Sequence, residues 1–143
     1  MSATHSISEL EERECWALLR SAPIARLGFT EGALPVVLPV HFMVRDGEVV
    51  ISSLAGSKVT SAARGDVVVV EADDYDPVTR QGWTVNAIGP ARLITGCDEV
   101  AALDELGFAP WTADQRRCYS VVRVVVLRGR TVVRSAAERS LTG

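Results

Sequence analysis

Asp46-Gly47 stands between two apolar runs, Leu34–Val44 and Val49–Ser53, and constrains the fold more than any other feature of the chain. A pair that tolerates left-handed backbone, set between alternating runs, closes an antiparallel hairpin. Strand-and-turn punctuation continues on both sides. Ile24–Phe29 is expected to be a strand, with Thr30-Glu31-Gly32-Ala33 as its turn. Leu34–Val44 carries Pro35 and Pro39, each of which removes a ladder donor, so an edge, a bulge or a bend is expected there. Val67–Glu71 is a valine run expected to be buried on both faces. Ala72–Gly82 is expected to be a polar loop, and Trp83–Thr95 a long strand with a bulge or bend at Gly89-Pro90. Tyr119–Leu127 is the expected final strand, with Arg128-Gly129-Arg130 turning into Thr131–Arg134.

Helical signals are fewer. Ser8 and Glu11 are spaced as a capping box behind Ile7, and Leu10, Trp16 and Leu19 recur at near-helical spacing until Pro23 intervenes. A short helix is expected over Val59–Arg64. Another is expected over Cys97–Leu106, with Asp98 as N-cap and Gly107 as stop. About six strands with three modest helices, and no strand–helix–strand alternation, point to a small antiparallel barrel with helices at its openings. The fold class is thus mainly β (α+β). Residues 9–134 form the expected domain, between flexible ends at 1–8 and 135–143.

Composition excludes several functions. The chain has 143 residues, enough for one domain, and 48% of them are hydrophobic, yet no uncharged apolar run approaches the ~18 needed to cross a bilayer. Net charge is −3 with the basic residues scattered, so neither a nucleic-acid surface nor a membrane surface is expected. Cys15, Cys97 and Cys118 are far apart and form no C-x-x-C pair, which argues against a disulfide framework or a zinc site. The start of the chain is polar and acidic, unlike a secretory signal, and a cytoplasmic location is expected.

One stretch carries chemistry. The strand Val49–Ser53 ends in two hydroxyls, Ser52 and Ser53, passes through Leu54-Ala55-Gly56, and meets Ser57-Lys58 at a helix start. Such a junction presents unpaired backbone N–H groups to an anion, and Lys58 adds a mobile cation with three donors. Lys58 is also the only lysine among 15 basic residues. A phosphate seat is the functional reading; an ordinary turn with an exposed lysine is the alternative.

The order of these segments resembles the pyridoxamine-5′-phosphate-oxidase-like flavin proteins, in particular the small bacterial FMN-binding split barrels. The resemblance runs from about Leu10 to Val133. It rests on Gly56-Ser57-Lys58 after a strand, on Pro39-Val40-His41-Phe42, and on Gly82-Trp83-Thr84-Val85 followed by Gly89-Pro90-Ala91. It implies a six-stranded antiparallel split β-barrel with short flanking helices, and a homodimer with two cofactor sites at its interface. It also implies an FMN phosphate at Ser52, Ser53, Ser57 and Lys58, and the flavin ring along Pro39, Val40, His41 and Phe42. Trp83 would reach the cofactor from the neighbouring subunit. A deazaflavin could replace FMN. The vitamin oxidase has a pair of basic residues at the phosphate where this sequence has Ser57-Lys58. It also has a C-terminal substrate section with no counterpart after Val133, so pyridoxamine phosphate oxidation is not expected.

His41 on an apolar strand can be structural or a general acid, and Trp83 a core aromatic or a cofactor contact. Asp73, Asp74 and Asp76 lack the glycine and terminal glutamate of a calcium loop, and no metal is expected. Two function classes follow. One is an FMN-dependent oxidoreductase of a small organic substrate, with flavin N5 as reactive centre and no catalytic side chain singled out. The other is a non-catalytic binding or storage protein for flavin, deazaflavin or haem.

Overall fold

The computed structural model describes residues 4–54, 58–108 and 117–134. In chain order the elements are β1 (His5–Glu9), α1 (Glu12–Ser21), β2 (Ala25–Glu31), β3 (Leu34–Arg45), β4 (Glu48–Leu54), α2 (Lys58–Ala62), β5 (Arg64–Asp76), β6 (Gln81–Leu93), α3 (Cys97–Asp104), β7 (Arg117–Arg123) and β8 (Val126–Arg134). Every ladder is antiparallel. The strands run β6-β5-β2-β3-β4-β7, and Ala91–Leu93 of β6 pair with Ser120–Val122 of β7, which closes a six-stranded barrel. β8 leaves the barrel along the first half of β6, and β1 pairs outside β8.

Period-two alternation sorts the wall into two faces. Leu27, Phe29, Val40, Val49, Ile51, Val70, Val85 and Val122 point inward and form the main core. α1 adds Cys15 and Leu19 to that core, and α2 adds Val59 and Ala62 from the opposite end, where β2 finishes and β5 begins. Each helix therefore closes one opening. α3 does not. Its Leu103, with Phe108, packs on Val50, Tyr119 and Val121, the outward residues of β4 and β7.

Two glycines mark places where backbones must pass closely. β6 pairs with β8 through Ile88 and with β7 from Ala91, and Gly89 sits at the change of partner. A Cβ there would lie 1.8 Å from the Arg123 carbonyl oxygen, so the glycine admits the neighbouring backbone, and β6 runs continuously through Gly89-Pro90. At Gly129 a Cβ would lie 2.5 Å from Cys15 Sγ and 3.0 Å from Leu10 Cδ1, so the bare backbone lets α1 settle against β8.

Several expectations are corrected. Arg128-Gly129-Arg130 is no turn; it lies within β8, and the break falls at Val124–Val125, splitting the expected final strand into β7 and β8. Glycine in that triplet signalled close packing rather than a reversal. Ala72–Asp76 and Gln81 belong to the β5–β6 ladder rather than to a loop; from Asp73 to Asp76 the strand is exposed on both faces, where polar side chains are tolerated. His5–Ser8, expected in a flexible terminus, pair with Thr131–Arg134, and the capping box consists of Glu11 and Glu14 instead of Ser8 and Glu11. The N-cap of α3 is Gly96, with Asp98 in the first turn. The valine run is buried on one face only: Val68 and Val70 lie in the core, whereas Val67 is 66% exposed on the outer wall. Ala55–Ser57, Ala109–Arg116 with Trp111, and Ser135–Gly143 lie outside the described residues.

Candidate functional site

β3 is shared between two partners. Leu34–Val40 pair with β2, and His41–Arg45 pair with β4. The β3–β4 ladder ends at His41 opposite Ser52, so β3 turns away while β4 continues through Ser53 and Leu54 beside β7. A fork opens there. Among the described residues its prongs are Leu34–Val40, paired only to β2, and Ser53–Leu54, paired only to β7. Pro35 and Pro39 fall in the half of β3 with a free edge, the position their missing N–H groups require.

The fork gathers most of the residues singled out from the sequence, but on two faces. Pro39, His41 and Ser52 share one face of the sheet, and Val40, Phe42 and Ser53 the other, because partners directly opposite in a ladder point the same way. Val40 belongs to the core and Phe42 packs against it. A ligand lying along the outer face would meet the side chains of Pro39 and His41, and only the backbone of Val40 and Phe42. Ser52 and Ser53 likewise cannot both turn their hydroxyls to one phosphate from the same face. Trp83 is elsewhere: it pairs with Asp74 and Thr131 on β6, three ladders from β3 in either direction around the barrel. It lines a groove of about 320 Å³ with Tyr75, Gln81 and Val132. Ser57 lies outside the described residues.

Polar groups at this end of the barrel are incompletely matched. Ser53 Oγ and Ser120 Oγ are buried and have no hydrogen-bond partner among the described residues. They lie on the same face, diagonally across β4 and β7, since Ser53 opposes Cys118 and Ser120 opposes Ile51. A buried hydroxyl without a partner is costly, roughly 1–3 kcal/mol, which makes the pair an open demand for a donor or acceptor. Lys58 opens α2, is well exposed, and its Nζ stands 3.9 Å from Glu31 Oε1 at the end of β2. Nothing in the local sequence announces Glu31 or Ser120, because both reach this end through strand pairing or tertiary contact.

The surroundings are charged and apolar in separate zones. On the outer wall Arg26 bonds to Glu71 and Asp73, both at 3.2 Å, and Thr84 Oγ1 donates to Glu71. Burial and the neighbouring Asp73 carboxylate raise the Glu71 carboxyl above its ordinary range, against the pull of Arg26. On the far side of β4, Tyr119 donates a 2.6 Å bond to Asp104, and burial with that bond raises its phenol. Among the described residues no cluster of three or more metal-ligating side chains occurs, and no helix is long and apolar enough to cross a membrane.

Comparison with known proteins agrees with this architecture. The family model of pyridoxamine 5′-phosphate oxidase matches residues 11–139. The chain belongs to that family. The protein Rv0080 of Mycobacterium tuberculosis is 37% identical over 114 residues, covering 76% of this chain and 74% of the relative. Among solved structures, the FAD binding protein of Mycobacterium smegmatis superposes with a TM-score of 0.73 at 30% identity, covering 86% of this chain and 98% of the other. An FAD-binding protein of Mesorhizobium loti gives 0.73 over 87% of this chain and 97% of its own, at 16% identity, a likeness of fold. The split β-barrel of the oxidase family is therefore the fold of this chain.

Proposed function

We propose that the chain binds a flavin nucleotide at the fork, with its phosphate on Lys58 and the end of β4, and acts as a flavin-dependent oxidoreductase on a small organic substrate. The observation that most supports this reading is the fork itself. Two strand edges lose their ladder at the place where a buried, unpartnered Ser53 hydroxyl leads to the chain's only lysine. A phosphorylated ligand with a flat polar ring fits that donor set. Lys58 supplies a charge-assisted bond to the phosphate, and the open edge of β3, which ends at Val40 beside His41, offers backbone groups to the ring's polar rim. FMN is the smallest flavin with both parts. The similarity to an FAD binding protein favours FAD as the second reading. A bound flavin supplies hydride and electron transfer at N5, and the chain's own task is to orient it and exclude water.

The proposal includes a homodimer. Leu34, Val37, Val67 and Val125 are each more than half exposed, and Val37 and Val67 line a groove of about 390 Å³ on the outer wall with Pro35, Val69 and Ile88. An apolar face of this kind marks an interface, and it borders the free edge of β3. Sedimentation is expected to show a dimer at micromolar concentration; a flavin-loaded monomer would refute it.

Titration of FMN and riboflavin into wild type and Lys58→Ala tests the seat. Loss of a charge-assisted bond of roughly 1.5–3 kcal/mol weakens FMN about 10- to 150-fold and leaves riboflavin unchanged. Equal FMN affinity in both proteins would place the phosphate elsewhere. Turnover of the reduced flavin with a nicotinamide donor and a small acceptor then separates an oxidoreductase from a storage protein.

A further inference from the structure

Lys58 meets a carboxylate where a phosphate is expected. Among the described residues Glu31 is its one recorded ion-pair partner, with Oε1 3.9 Å from Nζ. Both side chains are well exposed, at 61% and 47%, so the pair contributes little to folding. Glu31 is held in place by its position. It ends β2, pairs with Leu34, and precedes a turn whose Gly32 and Ala33 both have positive φ, so the hairpin fixes where its backbone stands. The carboxylate is thus a built-in feature of the end of the barrel that α2 closes.

We propose that Glu31 tempers the charge this seat accepts, so that the seat's electrostatic preference for a dianionic phosphomonoester over a singly charged phosphodiester is narrowed. The inference rests on the reading that Lys58 receives the cofactor phosphate. Lys58 and Glu31 together carry no net charge, and the chain has no second lysine to add. A phosphomonoester brings about −1.5 to −2 at neutral pH, whereas each phosphate of a diester or a pyrophosphate bridge brings about −1. Attraction to Lys58 and repulsion from Glu31 both scale with that charge. Glu31 therefore takes back part of the attraction that Lys58 supplies, and takes back more from the more highly charged phosphate.

At a separation of roughly 6 Å in water-like surroundings, repulsion from one carboxylate weakens binding about 3-fold per unit of phosphate charge. Glu31 therefore costs FMN about 10-fold and a singly charged phosphate about 3-fold. The gap between FMN and a flavin whose first phosphate is esterified on both sides, as in FAD, therefore narrows about 3-fold. Riboflavin has no phosphate and is insensitive to the pair.

The test is a set of dissociation constants for FMN, FAD and riboflavin against wild type, Glu31→Gln, Lys58→Ala and the double variant, with melting temperature checked for each. The proposal expects Glu31→Gln to tighten FMN about 10-fold, FAD about 3-fold and riboflavin not at all, and expects the FMN gain to shrink at 0.5 M salt as screening shortens to a few ångströms. If Glu31→Gln weakens FMN, shifts all three flavins alike or shifts none, while Lys58→Ala still weakens FMN, the proposal fails and the seat stands. If Lys58→Ala leaves FMN unchanged, the seat itself fails and the proposal goes with it.

Discussion

Replacing Gly129 by alanine tests how the barrel receives its first helix. The new Cβ would lie 2.5 Å from Cys15 Sγ, 3.0 Å from Leu10 Cδ1 and 3.3 Å from Leu10 Cβ. Cys15 is 1% exposed and sits in the main core, and the Leu10 N–H donates to the Gly129 carbonyl at 2.9 Å, so neither neighbour withdraws without disturbing α1. Overpacking of this size costs typically 1–3 kcal/mol, offset by about 0.5 kcal/mol because alanine is easier to order than glycine. A net loss of about 1.5 kcal/mol lowers the melting temperature by roughly 5 °C for a chain of this length. Cys15→Ala alone removes the crowding atom and leaves a small void, at about 1 kcal/mol. The two together exchange one buried atom for another, so the double variant is expected to be more stable than the sum of the single losses predicts by about 1 kcal/mol. Urea unfolding of all four proteins at one concentration, without flavin, measures the cycle. Strict additivity would show that α1 does not rest on β8 through this contact.

Tyr119→Phe is expected to cost about 1–2 kcal/mol through loss of the 2.6 Å bond to Asp104. Burial, then that bond, raises the Tyr119 phenol in the folded chain. Its contribution is therefore complete below about pH 10, where the unfolded phenol begins to ionise, and falls as pH rises through the folded value. Unfolding measured between pH 8 and 11 should show that fall in wild type and a shallower one in the variant; parallel curves would refute it. Alkylation followed by mass spectrometry should modify the exposed Cys97 first. Cys15 should react only on unfolding, since burial, then Glu14 and Glu12, raise its thiol; equal rates would refute it.

Local chemistry made part of this molecule legible. Asp46-Gly47 closes the β3–β4 hairpin with φ values of 44° and 76°, and Gly107 ends the helix at Asp104 with φ 77°. Both are signals that act within a few residues. The β5–β6 hairpin was obscured because Asp73, Asp74 and Asp76 look like solvent-exposed loop, and only the β6 strand opposite explains their extended backbone. β1 was hidden for the same reason: four of its five residues are exposed, and its regularity comes from β8. At the site, Ser52, Ser53 and Lys58 were visible as a strand-to-helix junction. The opposite facing of the two serines follows from alternation, but its importance appears only once the fork shows which face is open. Glu31 is separated from Lys58 by 26 intervening residues, and no local pattern brings the two together.

The two prolines of β3 have a consequence for the life of the chain in a crowded solution. The unpaired edge from Leu34 to Val40 is an extended ribbon with exposed Leu34 and Val37, the kind of edge onto which a strand from another molecule can add. Strand addition needs a regular row of donors, and Pro35 and Pro39 delete two of them four residues apart, one near each end of the ribbon. Without those donors the edge refuses a continuous ladder. Protection against polymerisation thus comes from two residues that a fully paired strand would not tolerate.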